Sequence, residues 1–539
     1  MPFHLREVHG PKGSNNPNAP AEPAQRSQSP AESWEGFRAG QAPPPAPDVQ
    51  EDRASFKVNI QNVVREFTAL PSQAIEECSD SVGDLPVLGA LYAYTFTHLK
   101  LCAPNNRSLL NDLKSLKTKW IRDSDTCILD LNTMKKGLMR LLRKSQVEEH
   151  ICNTRLINEH RLHDLDINNI AALIVEHTTS QRRARVFYAM ADDKAQYMVD
   201  TLQSLLVQSE RVEKYKRYLL NAIMKLSRKS GRFPQSLQLS GIQDLKETDF
   251  AGGYSSISQG KLNGRVVAVK NMKIGDRSLQ KFLKDFSNEA VVWCHAQHRN
   301  CLPFYGVLDE DANTKCLVSP WMTNGHIIGY LQTNPNADRL PLILDIVCGL
   351  EYLHSMQPTV IHGDLKGANI LITSSGRACL ADFGIVTVRD SHIQMTTTFE
   401  VRGTKSFMAP ELLRVGSDDD LKKLDRRRCD MYAFGCVCYE IYTGMPPIHN
   451  PLAVRRSPRP TEARHGLDDD MWDLIESSWK EEPTVRPTAA DALRQISFKM
   501  RFQGKSDVRP ATEVEWNVEF LADAGVTIAV EDPFAVGHT

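Results

Sequence analysis

The sequence lacks a long apolar run. Its longest, Leu85 to Phe96, falls well short of the about 20 residues a helix needs to cross a bilayer. The stretch Met1-Pro2-Phe3-His4-Leu5-Arg6 has no apolar core that could serve as a signal peptide. An excess of charge is missing too: 65 Lys and Arg face 66 Asp and Glu, a formal net charge of −1. Such a chain has no general electrostatic reason to bind nucleic acid or an acidic membrane. Twelve cysteines are present, none of them in the paired CxxC spacing of zinc sites. The closest two, Cys436 and Cys438, flank Val437 in an apolar run and read as helix packing. Together these absences predict a reduced, soluble, cytoplasmic protein.

At 539 residues the chain has room for two or three domains, each with its own core. Residues 1–54 are rich in Pro, Ala, Ser, Gln and Gly, with the run Pro43-Pro44-Pro45. Such a stretch buries too little apolar surface to offset chain entropy, so a disordered tail is expected. A proline-rich ligand for another domain is the alternative. Over 55–228 helix formers dominate and apolar residues recur every three or four positions. Examples are Leu109, Leu113, Leu116 and Trp120; Leu138, Leu141 and Leu142; and Met198, Leu202, Leu205 and Leu206. This pattern predicts an all-α helical bundle, with an adaptor surface for a partner protein as the functional alternative. Gly231 and Pro234 mark a connector over 229–244. Beyond it, the β-runs Val266-Val267-Ala268-Val269 and Cys316-Leu317-Val318 come first. Helical patterns follow over Leu342 to His354 and Asp430 to Tyr442. Strands followed by helices over 245–500 predict an α+β fold of two unequal lobes, a β-rich N-lobe and an α-rich C-lobe. Residues 501–539 read as a weakly structured tail.

The chemistry concentrates in His362-Gly363-Asp364-Leu365-Lys366-Gly367-Ala368-Asn369, followed by Asp382-Phe383-Gly384. Transfer of a γ-phosphoryl group to a hydroxyl needs Mg²⁺ held between phosphate oxygens, a carboxylate to orient the acceptor, and a cation on the moving phosphate. This string supplies all three, and it resembles the catalytic and magnesium loops of eukaryotic protein kinases. The resemblance implies that Asp364 accepts the hydroxyl's proton or hydrogen bond and that Lys366 neutralises the γ-phosphate. It implies that Asn369 and Asp382 hold Mg²⁺. His362 is expected to pack under the loop.

Further matches run in order through about 245–500. Val267-Ala268-Val269-Lys270 resembles the strand carrying the nucleotide lysine, and Glu289, nineteen residues on, its helix-borne partner. Taken alone, Lys270 could guard a strand edge and Glu289 could face solvent. At the place of the glycine-rich phosphate loop, Gly252 is the one motif glycine retained, followed by Gly253 and Tyr254. Phe250 and Ser255 stand where the other two glycines belong. Leu317-Val318-Ser319-Pro320-Trp321-Met322 looks like the hinge, with Ser319 as gatekeeper and Pro320 and Met322 on adenine. Ile257 and Ala268 would cover adenine, and Leu371 would lie below it. Met408-Ala409-Pro410-Glu411 resembles the end of an activation segment, and Asp430 the helix residue that ties down the catalytic loop. Arg486 would pair with Glu411.

The hinge phrase and Met408-Ala409-Pro410-Glu411-Leu412-Leu413 resemble the tyrosine-kinase-like group, and Lys366 the serine/threonine pattern. The phrase Leu226-Ser227-Arg228-Lys229-Ser230-Gly231 is similar to that of kinases from mushroom-forming fungi, where a helical region precedes the kinase domain. Ile448 to Pro460 is shorter than the family norm, which puts substrate docking there in doubt. Gly363 replaces the arginine that contacts a phosphorylated activation segment. Thr396, Thr397 or Thr398, if phosphorylated, would need partners such as Arg402 or Lys405. The expectation is an ATP- and Mg²⁺-dependent serine/threonine kinase controlled through its helical region or a partner. A pseudokinase scaffold is the rival, favoured by Phe250, Ser255 and Gly363. A third class places a helical bundle before a kinase-like domain and engages membranes. The basic stretch Lys135, Lys136, Arg140, Arg143 and Lys144 reads better as a solvated helix face.

Overall fold

The computed structural model describes residues 160–207, 212–251, 255–274, 278–311, 314–382, 404–414, 424–447, 457–460, 464–505 and 509, with isolated positions between 107 and 115. The apolar stripes before residue 160 lie outside the described residues, as do the Pro-rich stretch, Gly252-Gly253-Tyr254 and Thr396 to Thr398. Among the described residues from 160 onward, the chain opens with α1 (His160–Thr179), α2 (Gln181–Phe187), α3 (Asp192–Val207) and α4 (Lys216–Ser230). Their helical period sets what they bury. Met198, Leu202, Leu205 and Leu206 of α3 and Leu219, Ile223 and Leu226 of α4 all lie in the core. α4 ends at Gly231, whose N–H donates to the Ser227 carbonyl at 2.8 Å.

The chain then builds a six-stranded sheet from β1 (Gln238–Leu239), β2 (Gln243–Ala251), β3 (Ser255–Leu262), β4 (Arg265–Met272), β5 (Gly306–Asp311) and β6 (Thr314–Pro320). Spatial order is β1-β5-β6-β4-β3-β2. β1 pairs parallel with β5, and every other pairing is antiparallel. β1 comes close at Gly306, where a Cβ would stand 2.5 Å from the Leu237 carbonyl oxygen. Alternation sorts the two faces of the sheet. Val267 and Val269 join Leu262, Leu308 and Val318 in a small cluster on one face. Val307 and Leu317 turn the other way and share the main core with α5 (Leu279–His295). Ser278 caps α5 by accepting the Lys281 N–H.

The second lobe is helical: α6 (Ile327–Thr333), α7 (Arg339–Ser355), α8 (Pro410–Arg414), α9 (Arg426–Thr443), α10 (Asp469–Ser478) and α11 (Ala489–Phe502). A hairpin of β7 (Ile370–Ile372) and β8 (Ala378–Leu380) lies before α8. α9 is buried without a break from Cys429 to Cys438, so it takes the middle of the lobe. Cys436 and Cys438 are buried there. α11 opens with a capping box of Thr488 and Asp491. The start of the expected tail is ordered: α11 runs on to Phe502, Lys505 pairs with Asp338, and Arg509 donates to Asp345 of α7, whose carboxylate also receives Arg377 and the Ala378 N–H. Among the described residues no helix is long and apolar enough to cross a membrane.

Arg486 fixes α8 to the loop before α11. Its guanidinium, fully buried, donates two parallel bonds to Glu411 at 2.6 and 2.8 Å. It also donates to the carbonyls of Lys480, Glu481 and Arg428. Removing one partner of such a pair strands the other in low dielectric. Glu411→Ala should therefore cost about 3–5 kcal/mol in a urea unfolding experiment. A loss under 1 kcal/mol would show that the pair is dispensable.

Candidate active site

β4 delivers Lys270 by register. Cross-strand neighbours share a face, and β4 sets Ile257 and Leu317 beside Lys270, and Gln259 and Ser319 beside Ala268. Ile257, Ala268, Lys270 and Ser319 thus line one face, the face that meets α5. The Lys270 ammonium is buried and donates to Glu289 Oε1 of α5 at 2.9 Å and to Asp382 Oδ1 at 2.9 Å. Burial works against its charge, but the carboxylates of Asp382 and Glu289 outweigh it and hold the ammonium above its ordinary value. Burial likewise works against the Asp382 carboxylate. Lys270 outweighs it and holds Asp382 below the usual carboxylate range.

β6 ends at Pro320, after which the Met322 carbonyl accepts the Gly325 N–H at 3.0 Å in a tight turn. Leu371 lies on β7 opposite Cys379, half-buried and bridged to His326.

The loop from His362 to Asn369 collects the other polar groups. Asp364 Oδ2 receives Lys366 Nζ at 2.7 Å and Asn369 Nδ2 at 3.0 Å, and Asn369 Nδ2 also reaches the Asp364 carbonyl at 2.8 Å. The Asn369 carbonyl accepts the Ala381 N–H at 2.9 Å, which sets Asn369 beside Asp382. Among the described residues no three His, Cys, Asp or Glu side chains gather to hold a metal alone. Asn369 commits its amide nitrogen to Asp364, so its amide oxygen and the Asp382 carboxylate are the ligand atoms on offer. This donor set suits Mg²⁺, which takes most of its ligands from phosphate and water.

The loop hangs from α9. Asp430 is buried and accepts the N–H of His362 and of Gly363, each at 2.9 Å, and His354 Nε2 at 2.8 Å. These bonds hold it ionised below the usual carboxylate range, although burial opposes its charge. His362 is fully buried, which pulls its imidazole below its ordinary value. Gly363 has φ +79°, a left-handed conformation that glycine takes freely and other residues adopt with strain. The missing cation is therefore only part of what a glycine does there. Beside it a pocket opens between Asp364, Met408, Leu412 and Asp430, and Arg426 is its one cationic lining residue among those described.

Sequence reasoning missed two members of this scaffold. His354 closes α7 and gave no local signal of its tie to Asp430. Glu440 did give one: it is the lone charged residue in Met431 to Tyr442. It accepts the Gly367 N–H at 3.1 Å.

Residues 251–498 match the family model described as protein kinase domain. The two-lobed arrangement from β2 to α11 is the kinase fold. The chain is 28% identical to the serine/threonine-protein kinase STY17 of Arabidopsis thaliana over 48% of its own length and 44% of that protein. It is 28% identical to STY46 of the same plant, over 46% of the chain and 42% of the relative. With the Arabidopsis L-type lectin-domain containing receptor kinase I.3 it shares 32% identity, over 38% of the chain and 30% of that kinase. The chain thus spans less than half the length of each of these relatives.

Burial pushes Glu440 up to about 7 from the ordinary 4.5, against the pull of the Gly367 N–H. Between these values the folded protein holds a proton that the unfolded chain has released. The stability tied to Glu440 is therefore complete below pH 4.5 and lost as pH rises through 7. Glu440→Gln keeps an acceptor for Gly367 but cannot ionise. Going from pH 4.5 to 8, the variant should gain up to about 3 kcal/mol on the parent in denaturant unfolding. Parallel stability curves for the two proteins would rule out this titration.

Proposed function

We propose that the chain is an ATP-dependent protein kinase that transfers the γ-phosphoryl group to serine or threonine hydroxyls of protein substrates in intracellular signalling. The observation that carries this is Lys270, held at 2.9 Å from both Glu289 and Asp382 while Asp364, Lys366 and Asn369 share one loop. Each group then has a task. Lys270, kept in place by Glu289, holds the α- and β-phosphates. Asp364 accepts the hydrogen bond of the acceptor hydroxyl and draws off its proton. Lys366, between Asp364 and the incoming phosphate, offsets the charge that builds there. Asn369 and Asp382 would hold Mg²⁺, which neutralises the phosphate oxygens when bound. Ile257 and Ala268 above and Leu371 below suit a flat base, with the Pro320 carbonyl and the Met322 amide as its hydrogen-bond partners. Gly252, Gly253 and Tyr254 would cover the phosphates.

The names of the relatives support the serine/threonine class, and the motifs of the hinge and of the Ala409-Pro410-Glu411 phrase support placement in the tyrosine-kinase-like group. The phrase before Gly231 supports kinship with kinases of mushroom-forming fungi that carry a helical region ahead of the catalytic domain. That region would serve as a platform for a partner protein. The near-zero net charge fits a cytoplasmic protein without nucleic acid as a partner. The presence of both Lys270 carboxylate contacts speaks against a pseudokinase scaffold.

Phosphorylation of a generic protein substrate with Mg²⁺ and ATP should fall by at least about 10²-fold in Asp364→Ala. Equal signal from variant and parent would sink the enzyme reading. Because Gly363 offers no cation to a phosphorylated activation segment, the combined Thr396→Ala, Thr397→Ala, Thr398→Ala variant should keep activity within about threefold of the parent. Loss of all activity in a folded triple variant would show that the segment must be phosphorylated.

A further inference from the structure

A helix lying on one side of a sheet needs a single apolar face. α5 is instead buried without a break from Phe286 to Trp293, more than two turns. The sheet accounts for one side, and α4 packs along another. One continuous core runs from α1, α3 and α4 through Phe286, Ala290, Val291 and Val292 of α5 into the second lobe.

Specific contacts fix α5 at both ends and in the middle. At its start, Gly231 stands against Leu283, so close that a Cβ on Gly231 would lie 3.2 Å from the Leu283 Cβ. In the middle, Phe233 meets Phe286 edge to face, ring centroids 5.8 Å apart. The Phe233 backbone is itself fastened to α3: Gln196 Nε2 donates to its carbonyl at 2.9 Å, and the Gln235 N–H donates to Asp200 at 2.7 Å. At the far end, Gln203 of α3 takes a hydrogen bond from His295 Nε2 at 3.0 Å, and its own amide nitrogen lies 3.8 Å from Cys294 Sγ. An amide oxygen only accepts, so Nε2 carries the proton. These three contacts span α5 from Leu283 to His295, and Glu289 sits between them.

We propose that α3 and α4 clamp α5, with Gln203 and Phe233 as positioning residues that keep Glu289 on Lys270. The inference rests on the kinase reading of the cleft. A slide or tilt of α5 by about 1 Å would stretch a 2.9 Å ion pair beyond hydrogen-bond range. The clamp works through Glu289 alone, so its effect must disappear once Glu289 no longer carries charge.

The test is a double-mutant cycle in the full chain, read as affinity for a non-hydrolysable ATP analogue with Mg²⁺ by titration calorimetry. Gln203→Met keeps the side-chain volume and loses the acceptor. Phe233→Ala trims a half-buried ring outside the helices and serves as the second variant. Each should weaken nucleotide binding about fivefold in the parent, and less than about twofold when Glu289→Gln is already present. Thermal unfolding of every variant checks that the chain is folded. Unchanged affinity in the parent background would overturn the clamp. So would an equal loss in both backgrounds, because a general loosening acts whether or not Glu289 is charged. A parent chain that binds no nucleotide would overturn the kinase reading and the clamp with it.

Discussion

The ammonium of Lys270 is the group on which the rest of the arrangement depends. Buried among apolar neighbours, it would be severely destabilising without partners. Two carboxylates answer it, one from α5 and one from the segment after β8. Two consecutive elements, β4 and α5, must therefore meet a segment 112 residues further along the chain. The packing of α5 on the sheet, and of the sheet on the second lobe, brings both carboxylates within reach. The pair to Asp382 also keeps that carboxylate ionised in a site that would otherwise favour its neutral form.

A second constraint lies below. The loop from His362 to Asn369 has little regular structure of its own, and its backbone N–H groups need acceptors. α9 provides two carboxylates ten residues apart, about 15 Å along the helix. Asp430 takes the N–H groups of His362 and Gly363, and Glu440 takes that of Gly367. The loop between them is suspended at two points of a helix buried in the lobe. Asp364 sits between these points, with Lys366 and Asn369 tied to its carboxylate. α9 holds the backbone on either side of Asp364, and Lys366 and Asn369 of the loop hold its carboxylate.

Much of this was legible in the sequence, and the reason is locality. Val266 to Lys270 reads as a strand because three of its five residues are β-branched, and the helical period of Met198 to Leu206 marks α3 directly. The spacing of Asp364, Lys366 and Asn369 is a property of one loop, so the motif exposed it. Arg486 and Glu411, 75 residues apart, were legible through the motifs that carry them, so what escaped is distant in the chain and belongs to no motif. His354 and Asp430 are 76 residues apart, and His295 and Gln203 are 92. No window of sequence holds both partners. β1 escaped for another reason: two residues carry no alternation to detect. Gly363 was read as the loss of a side chain, because a dihedral angle of +79° leaves no trace in residue order. Arg509 stood in a stretch without periodicity, and its tie to Asp345 is a single side chain crossing 164 residues.

The parallel pairing of β1 with β5 has a consequence for how the molecule meets other chains. A sheet edge is a row of open backbone donors and acceptors that invites any extended strand. The two residues of β1 fill the start of that row, at Val307 and Leu308 of β5, and the missing Cβ of Gly306 lets them come near enough to do so. The opposite edge, β2, carries register shifts at two places and a positive φ at Asp244. Irregular edges of this kind present no regular template for a further strand. The short piece of chain that links the helices to the sheet thereby guards against strand-to-strand aggregation.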